Sequence, residues 1–178
     1  MPTDVCMPSA TNPDWKREKK ALFEWSPSRS LLSSLRSYQR WRGRGFMGVV
    51  PSKIAVLRHR FWSMVTGCDL PINTEVSGGL LMPHPNGIVI HPNCKIGPNC
   101  LIFQQVTLGS NGTGIGKGVP TLGGHVDVGA GAKILGGVTI GDNAVIGANA
   151  VVITDVPAHA TAIGVPARII IPKGVTAK

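Results

Sequence analysis

The chain has 178 residues, 43% of them hydrophobic and 15% charged, with 23 glycines and a formal net charge of +9. These values fit one folded domain with a short appendage, and they exclude a disordered or collagen-like chain. Met1–Trp15 holds no apolar leader and no long uncharged apolar run occurs later, so a cytoplasmic protein is the expectation.

Twelve of the eighteen basic residues, but four of the nine acidic ones, fall in residues 1–66. The basic excess therefore belongs to the N-terminal segment. It reads as a solvated helical face; the alternative is attraction to an anionic surface such as lipid headgroups or an acidic glycan. A nucleic-acid partner is not expected. Residues 1–13, with three prolines, read as a loose arm. Asp14 can cap a short helix running to about Trp25, which Ser26-Pro27-Ser28 breaks. Leu31, Leu32, Leu35, Tyr38 and Trp41 then recur at helical spacing over 28–42. Gly43–Gly48 reads as a turn, and Pro51 as the first residue of a further helix. Ile54, Leu57, Phe61 and Met64 form its apolar stripe. Arg58 and His59 lie off that stripe, so His59 reads as a helix-surface residue. Trp62 and the other tryptophans read as packing the helices onto the first coils of the repeat that comes next.

From about Leu70 a six-residue rhythm takes over. An aliphatic residue recurs as Ile90, Ile96, Ile102 and Leu108, then as Leu122, Val128, Ile134, Ile140, Ile146 and Val152. Gly often comes next, and the fourth residue after the aliphatic one is small or aliphatic, as at Cys94, Val106, Ala132, Ala144 and Ala150. A period of six fits neither a helix face nor a half-buried strand; it fits a parallel β-helix of hexapeptides, three to a coil. Extended backwards, the rhythm puts Val76, Met82 and Ile88 in the small slot, with Gly78 and His84 in the aliphatic slot. Between Leu108 and Leu122 it is interrupted by a glycine-rich insert, residues 109–120. Pro157 and Pro166 end it.

The insert is not a phosphate loop. Asn111 stands where the first Gly is needed, Gly118 replaces the Ser or Thr, and another coil comes after it rather than a helix. The four cysteines form no CxxC pair; Cys94 and Cys100 occupy the small slot, where apolar packing is their role. The five histidines show no short metal-binding spacing, so no metal is expected. His84 stands out, because it breaks the aliphatic register between Pro83 and Pro85. It is either a satisfied structural histidine or a functional one. Asp69, fifteen residues earlier and a little under one coil away, can orient its imidazole and make it a general base.

The run Gly79-Leu-Leu-Met-Pro-His-Pro-Asn-Gly-Ile-Val-Ile90, then Gln105-Val-Thr-Leu-Gly109, Val128-Gly-Ala-Gly-Ala-Lys-Ile-Leu-Gly136 and Gly164-Val-Pro-Ala-Arg-Ile169, resembles the serine acetyltransferase family over about residues 67–171. The resemblance implies a left-handed parallel β-helix, a homotrimer with sites between subunits, and acetyl-CoA as acyl donor. It implies His84 as the catalytic base and Asp69 as its partner. It puts Gly109, Ala130 and Ala148 along the pantetheine arm, and Arg168 near the CoA phosphates.

The chain departs from that family's pattern at three places. Pro83 stands where members acting on serine have Asp, and Gly118-Val119 precede Pro120 where they have Arg-His. Those groups hold the ammonium and carboxylate of serine. The N-terminal helical domain is also much shortened, as in similar exopolysaccharide acetyltransferases. The expectation is a basic helical segment at 1–66, a β-helix acyltransferase domain at 67–171 and a tail at 172–178. Its reaction would be O-acetyl transfer to serine, with a sugar or exopolysaccharide precursor as the alternative acceptor, and a non-catalytic scaffold as the alternative role. The basic segment would allow peripheral contact with anionic membrane, at the inner membrane face.

Overall fold

The computed structural model describes residues 8–21, 24–112 and 118–172. Cys6, the centre of the glycine-rich insert and the basic end of the tail lie outside the described residues. A 3-10 turn at Trp15–Glu18 is succeeded by helices α1 (Pro27–Trp41) and α2 (Gly45–Thr66). Thirteen short strands follow among the described residues: β1 (Glu75–Val76), β2 (Val89–Ile90), β3 (Lys95–Ile96), β4 (Leu101–Ile102), β5 (Thr107–Gly109), β6 (Thr121–Leu122), β7 (Asp127–Val128), β8 (Lys133–Leu135), β9 (Thr139–Ile140), β10 (Val145–Ile146), β11 (Val151–Val152), β12 (Thr161–Ile163) and β13 (Arg168–Ile170).

The strands stack as three parallel sheets, one per face of a prism: β1-β3-β6-β9, β4-β7-β10-β12 and β2-β5-β8-β11. This is the left-handed parallel β-helix. Its core is the column of hexapeptide aliphatics together with the small slot between them, from Ile90 and Cys94 to Val152 and Ala160, each 0–7% exposed. A fully buried Ile, Leu or Val contributes about 1.5–3 kcal/mol, so this column holds the coils together. The recurrent glycine has a steric cause. A Cβ on Gly97 would sit 2.2 Å from Gly123 O, and one on Gly129 2.6 Å from Ala148 N. At these corners the backbone of the next coil occupies the space of a side chain.

The coils differ in length. Register partners on the first coil are twenty residues apart (Asp69 with Val89, Glu75 with Lys95, Leu81 with Leu101). The next pair, Val89 with Thr107, is eighteen apart. The coil holding the insert spans twenty-six (Lys95 with Thr121), and the last spans sixteen (Val145 with Thr161). The two extra residues of the first coil therefore lie between Leu81 and Val89. This corrects the frame read from the sequence. Leu70 and Val76, in register with Ile90 and Ile96, are the aliphatic residues of this coil, and Met82, next to Leu81, lies on the level of Ile102. His84 does not fill an aliphatic slot; it lies on a lengthened corner. The repeat also runs past Pro157, and closes only where β13 pairs antiparallel with β12.

The helices depart from expectation in further ways. Asp14 accepts from Lys16 N at 2.9 Å, but it caps only the 3-10 turn and not a helix to Trp25. The helix expected at Pro51 starts at Gly45 and carries Pro51 inside it. It ends at Gly67, whose φ of 62° is the left-handed conformation glycine adopts without penalty. The face α2 buries is Gly48, Ala55, His59 and Thr66, not the expected stripe. Small residues there let α1 approach closely, and Leu31, Leu32 and Leu35 of α1 join the core at 0–1% exposure. His59 is buried: its Nε2 lies 2.7 Å from Leu70 O and its Nδ1 3.1 Å from Ser34 Oγ. Of the tryptophans, Trp62 packs against the core, whereas Trp25 is 75% exposed.

Nor are residues 9–14 loose. Asn99, fully buried at a turn of the β-helix, donates from Nδ2 to Ser9 O (2.6 Å) and Asn12 O (2.8 Å). Its Oδ1 accepts from Asp14 N at 2.7 Å. Further on, Glu18 pairs in bidentate fashion with Arg36 of α1 at 2.8 and 2.9 Å and accepts from Gly79 N at 2.7 Å. One network thereby ties arm, helix and first coil together.

Candidate active site

His84 lies on the corner joining the β4 face to the β2 face. Pro83 and Pro85, which lack backbone donors, and Gly87, at φ 69°, shape that corner. The same corner recurs on each coil, and a ladder of turn hydrogen bonds links the levels. Gln105 N donates to Asn86 O (3.0 Å), Gly131 N to Gln104 O (2.9 Å) and Asn149 N to Ala130 O (2.8 Å). His84, Ala130 and Ala148 thus share one column running up the prism.

The other histidines have structural employment. His125 and His159 sit at φ 53° and 62° in another corner column, with Asn99 and Asn143; His125 Nδ1 lies 2.9 Å from Asn143 Oδ1. Left-handed φ is a conformation His and Asn tolerate better than most residues. His91 Nδ1 accepts from Asn93 N within its own turn (3.2 Å), and His59 is enclosed between α1 and the first coil. His84 is exposed, and its ring makes no hydrogen bond among the described residues. It lines a hollow with Trp25, Ser26, Thr66 and Asn86. The three described thiols offer no alternative nucleophile. Burial, reinforced by the Asp69 carboxylate, pushes Cys68 up to about 12, and burial pushes Cys94 and Cys100 to about 11.

Asp69 opens the β2 face from the coil below. Its N–H donates to Ile88 O (2.8 Å) and its carbonyl accepts from Ile90 N (2.9 Å). Its carboxylate is exposed, in a second hollow lined by His59, Arg60, Met64 and Pro71. Asp69 is in register with Val89, five residues past His84, and no hydrogen bond joins the two side chains among the described residues. Gly109 ends β5 on the opposite corner of the same face, its carbonyl accepting from Gly136 N at 2.9 Å. Arg168 is exposed at the start of β13, five strand spacings or about 24 Å from the level of Leu81. Among the described residues no cluster of His, Cys, Asp and Glu could hold a metal ion.

Sequence reasoning passed over two residues beside the His84 column, Gln104 and Lys133. Gln104 Oε1 is buried without a hydrogen-bond partner among the described residues, directly above the His84 corner. The Lys133 ammonium donates to Gln105 O. Counting back in sixes from Ile90 lands on His84 and Gly78 in the aliphatic slot; that mismatch was the available sign of a lengthened corner.

Residues 120–154 match the family described as bacterial transferase hexapeptide (six repeats). The serine acetyltransferase of Synechococcus elongatus is 39% identical over 135 residues, which is 76% of this chain and 54% of that protein. The serine acetyltransferase of Staphylococcus xylosus is 31% identical over 167 residues, 94% of this chain and 74% of that protein. A solved serine acetyltransferase in complex with CoA superposes with a TM-score of 0.67 at 32% identity, over 82% of this chain and 57% of that one. Against the Synechococcus protein and the solved structure, the chain spans little more than half their length.

Proposed function

We propose that this chain, which belongs to the serine acetyltransferase family, is an acetyl-CoA-dependent O-acetyltransferase with His84 as its general base. The observation that carries the reading is the lengthened corner: two residues added to a regular coil, where a histidine that makes no side-chain hydrogen bond among the described residues faces solvent. A structural histidine would be satisfied, as His59 is. The neighbour solved with CoA supports acetyl-CoA as the donor.

In the proposed reaction the unprotonated His84 nitrogen accepts the acceptor's hydroxyl proton as that oxygen attacks the thioester carbonyl. The tetrahedral intermediate expels the CoA thiolate, and the imidazolium returns its proton to the sulfur. Asp69 stabilises the imidazolium once substrate has closed the gap between the two hollows; such contacts often tighten only in the complex. The pantetheine arm runs up the column of Ala130 and Ala148, with Arg168 toward the CoA phosphates and Gly109 across the face. A homotrimer with sites between subunits belongs to the same reading.

Serine is the acceptor that the relatives' names support. A sugar hydroxyl is the second reading, and it rests on Pro83, Gly118 and Val119. They place no charge where a serine's ammonium and carboxylate need partners, and unpaired charges in a closed site are costly. CoA release measured across a panel of serine, nucleotide sugars and oligosaccharides separates the two. His84→Ala is expected to lose turnover at least a thousandfold, on the order of a full general-base contribution, with the assembly state unchanged. Retained turnover would overturn the assignment of His84. Failure of the wild-type chain to bind CoA would leave the scaffold role.

A further inference from the structure

We propose that the outer face of α2 is a docking surface for anionic membrane, on which the protein lies peripherally. Phe46, Val50, Ile54, Leu57, Phe61 and Met64 recur every three or four residues and are 51–95% exposed. They form one stripe about 27 Å long on the side of α2 opposite its buried residues Ala55, His59 and Thr66. A contiguous apolar face of this length on a folded protein marks an interaction site.

The chemistry of the margins selects the occupant. Lys53 and Arg60 flank the stripe on one side and Arg58 on the other; all three are exposed, and none forms an ion pair among the described residues. Between Glu24 and Asp69 the chain has eight basic residues and no acidic one. A second copy docked face to face would set six of these cations against two carboxylates, the Asp69 of each chain beside Arg60 and Met64. Lipid phosphates answer them, while the apolar stripe enters the boundary between headgroups and acyl chains. No helix among the described residues is long and apolar enough to cross a membrane, so α2 would lie in the interface plane. Val65, at the edge of the stripe, also lines the hollow holding His84, so the docked surface and the candidate site adjoin.

The test is sedimentation of the full chain with vesicles of phosphatidylcholine, alone or with about one third phosphatidylglycerol. Binding is expected only with phosphatidylglycerol, and should weaken as salt rises. Lys53→Gln/Arg58→Gln/Arg60→Gln should lower partitioning on the order of a hundredfold at low salt, about fivefold per charge. Leu57→Glu/Phe61→Glu should abolish it while keeping the helical circular dichroism of the wild type, since both side chains face solvent. The proposal is overturned by no binding to the anionic vesicles, by equal binding to both compositions, or by binding that survives Leu57→Glu/Phe61→Glu. It is equally overturned if sedimentation velocity shows this face holding copies of the chain together, with vesicle binding absent.

Discussion

Replacing Asn99 by Ala should detach the N-terminal arm from the β-helix. The side chain makes three hydrogen bonds, to Ser9 O, Asn12 O and Asp14 N, at 2.6–2.8 Å, and the residue is fully buried. At about 1 kcal/mol each they amount to about 3 kcal/mol. The backbone at Asn99 has φ 60°, where Ala costs a further 1–2 kcal/mol or so. Asn99→Ala should therefore lose about 4–5 kcal/mol, and Asn99→Gly, which suits that φ, about 3 kcal/mol. Urea unfolding monitored by circular dichroism gives the totals. Hydrogen exchange of residues 9–18 should show the loss concentrated there, because the stacked coils keep their own hydrogen bonds. A loss under about 1 kcal/mol for Asn99→Ala, or equal losses for the two variants, would refute the reasoning.

Arg36→Met should cost about 3–5 kcal/mol, because it strands the Glu18 carboxylate, only 7% exposed, beside Trp15 and the first coil. The shift in urea midpoint measures it, and Arg36→Met/Glu18→Gln should recover part of the loss. His59 gives a pH signature. Burial holds its pKa below the ordinary 6.5, although hydrogen bonds to the backbone partly oppose this. The unfolded chain therefore takes up the proton first as pH falls. Stability is fully present above about 6.5 and declines as pH drops from there toward the depressed value. Unfolding titrations between about pH 7.5 and 5 should show that decline in the wild type and a flatter profile in His59→Gln.

The hexapeptide period was enough to determine the β-helix, because each coil needs the same aliphatic and the same small residue to stack on the one below. From Ile90 onward both slots are occupied as the sequence implied. Before Ile88 the frame is slipped by two, and no periodicity argument shows which side of a slip carries the extra residues. Pairing Leu81 with Leu101 decides it, and places His84 on a corner instead of in a slot. The helices were read less well, for a related reason. α2 is apolar around most of its circumference, so spacing alone did not reveal which side is buried. Tertiary packing chose the side with Gly48, Ala55 and His59, because small residues permit close approach and Leu70 O offers the imidazole a partner. Residue types and spacing thus determined the repeat and named His84 and Asp69. Only the stacking of coils revealed which residues share a column, that the two candidates face separate hollows, and that the apolar stripe of α2 points outward.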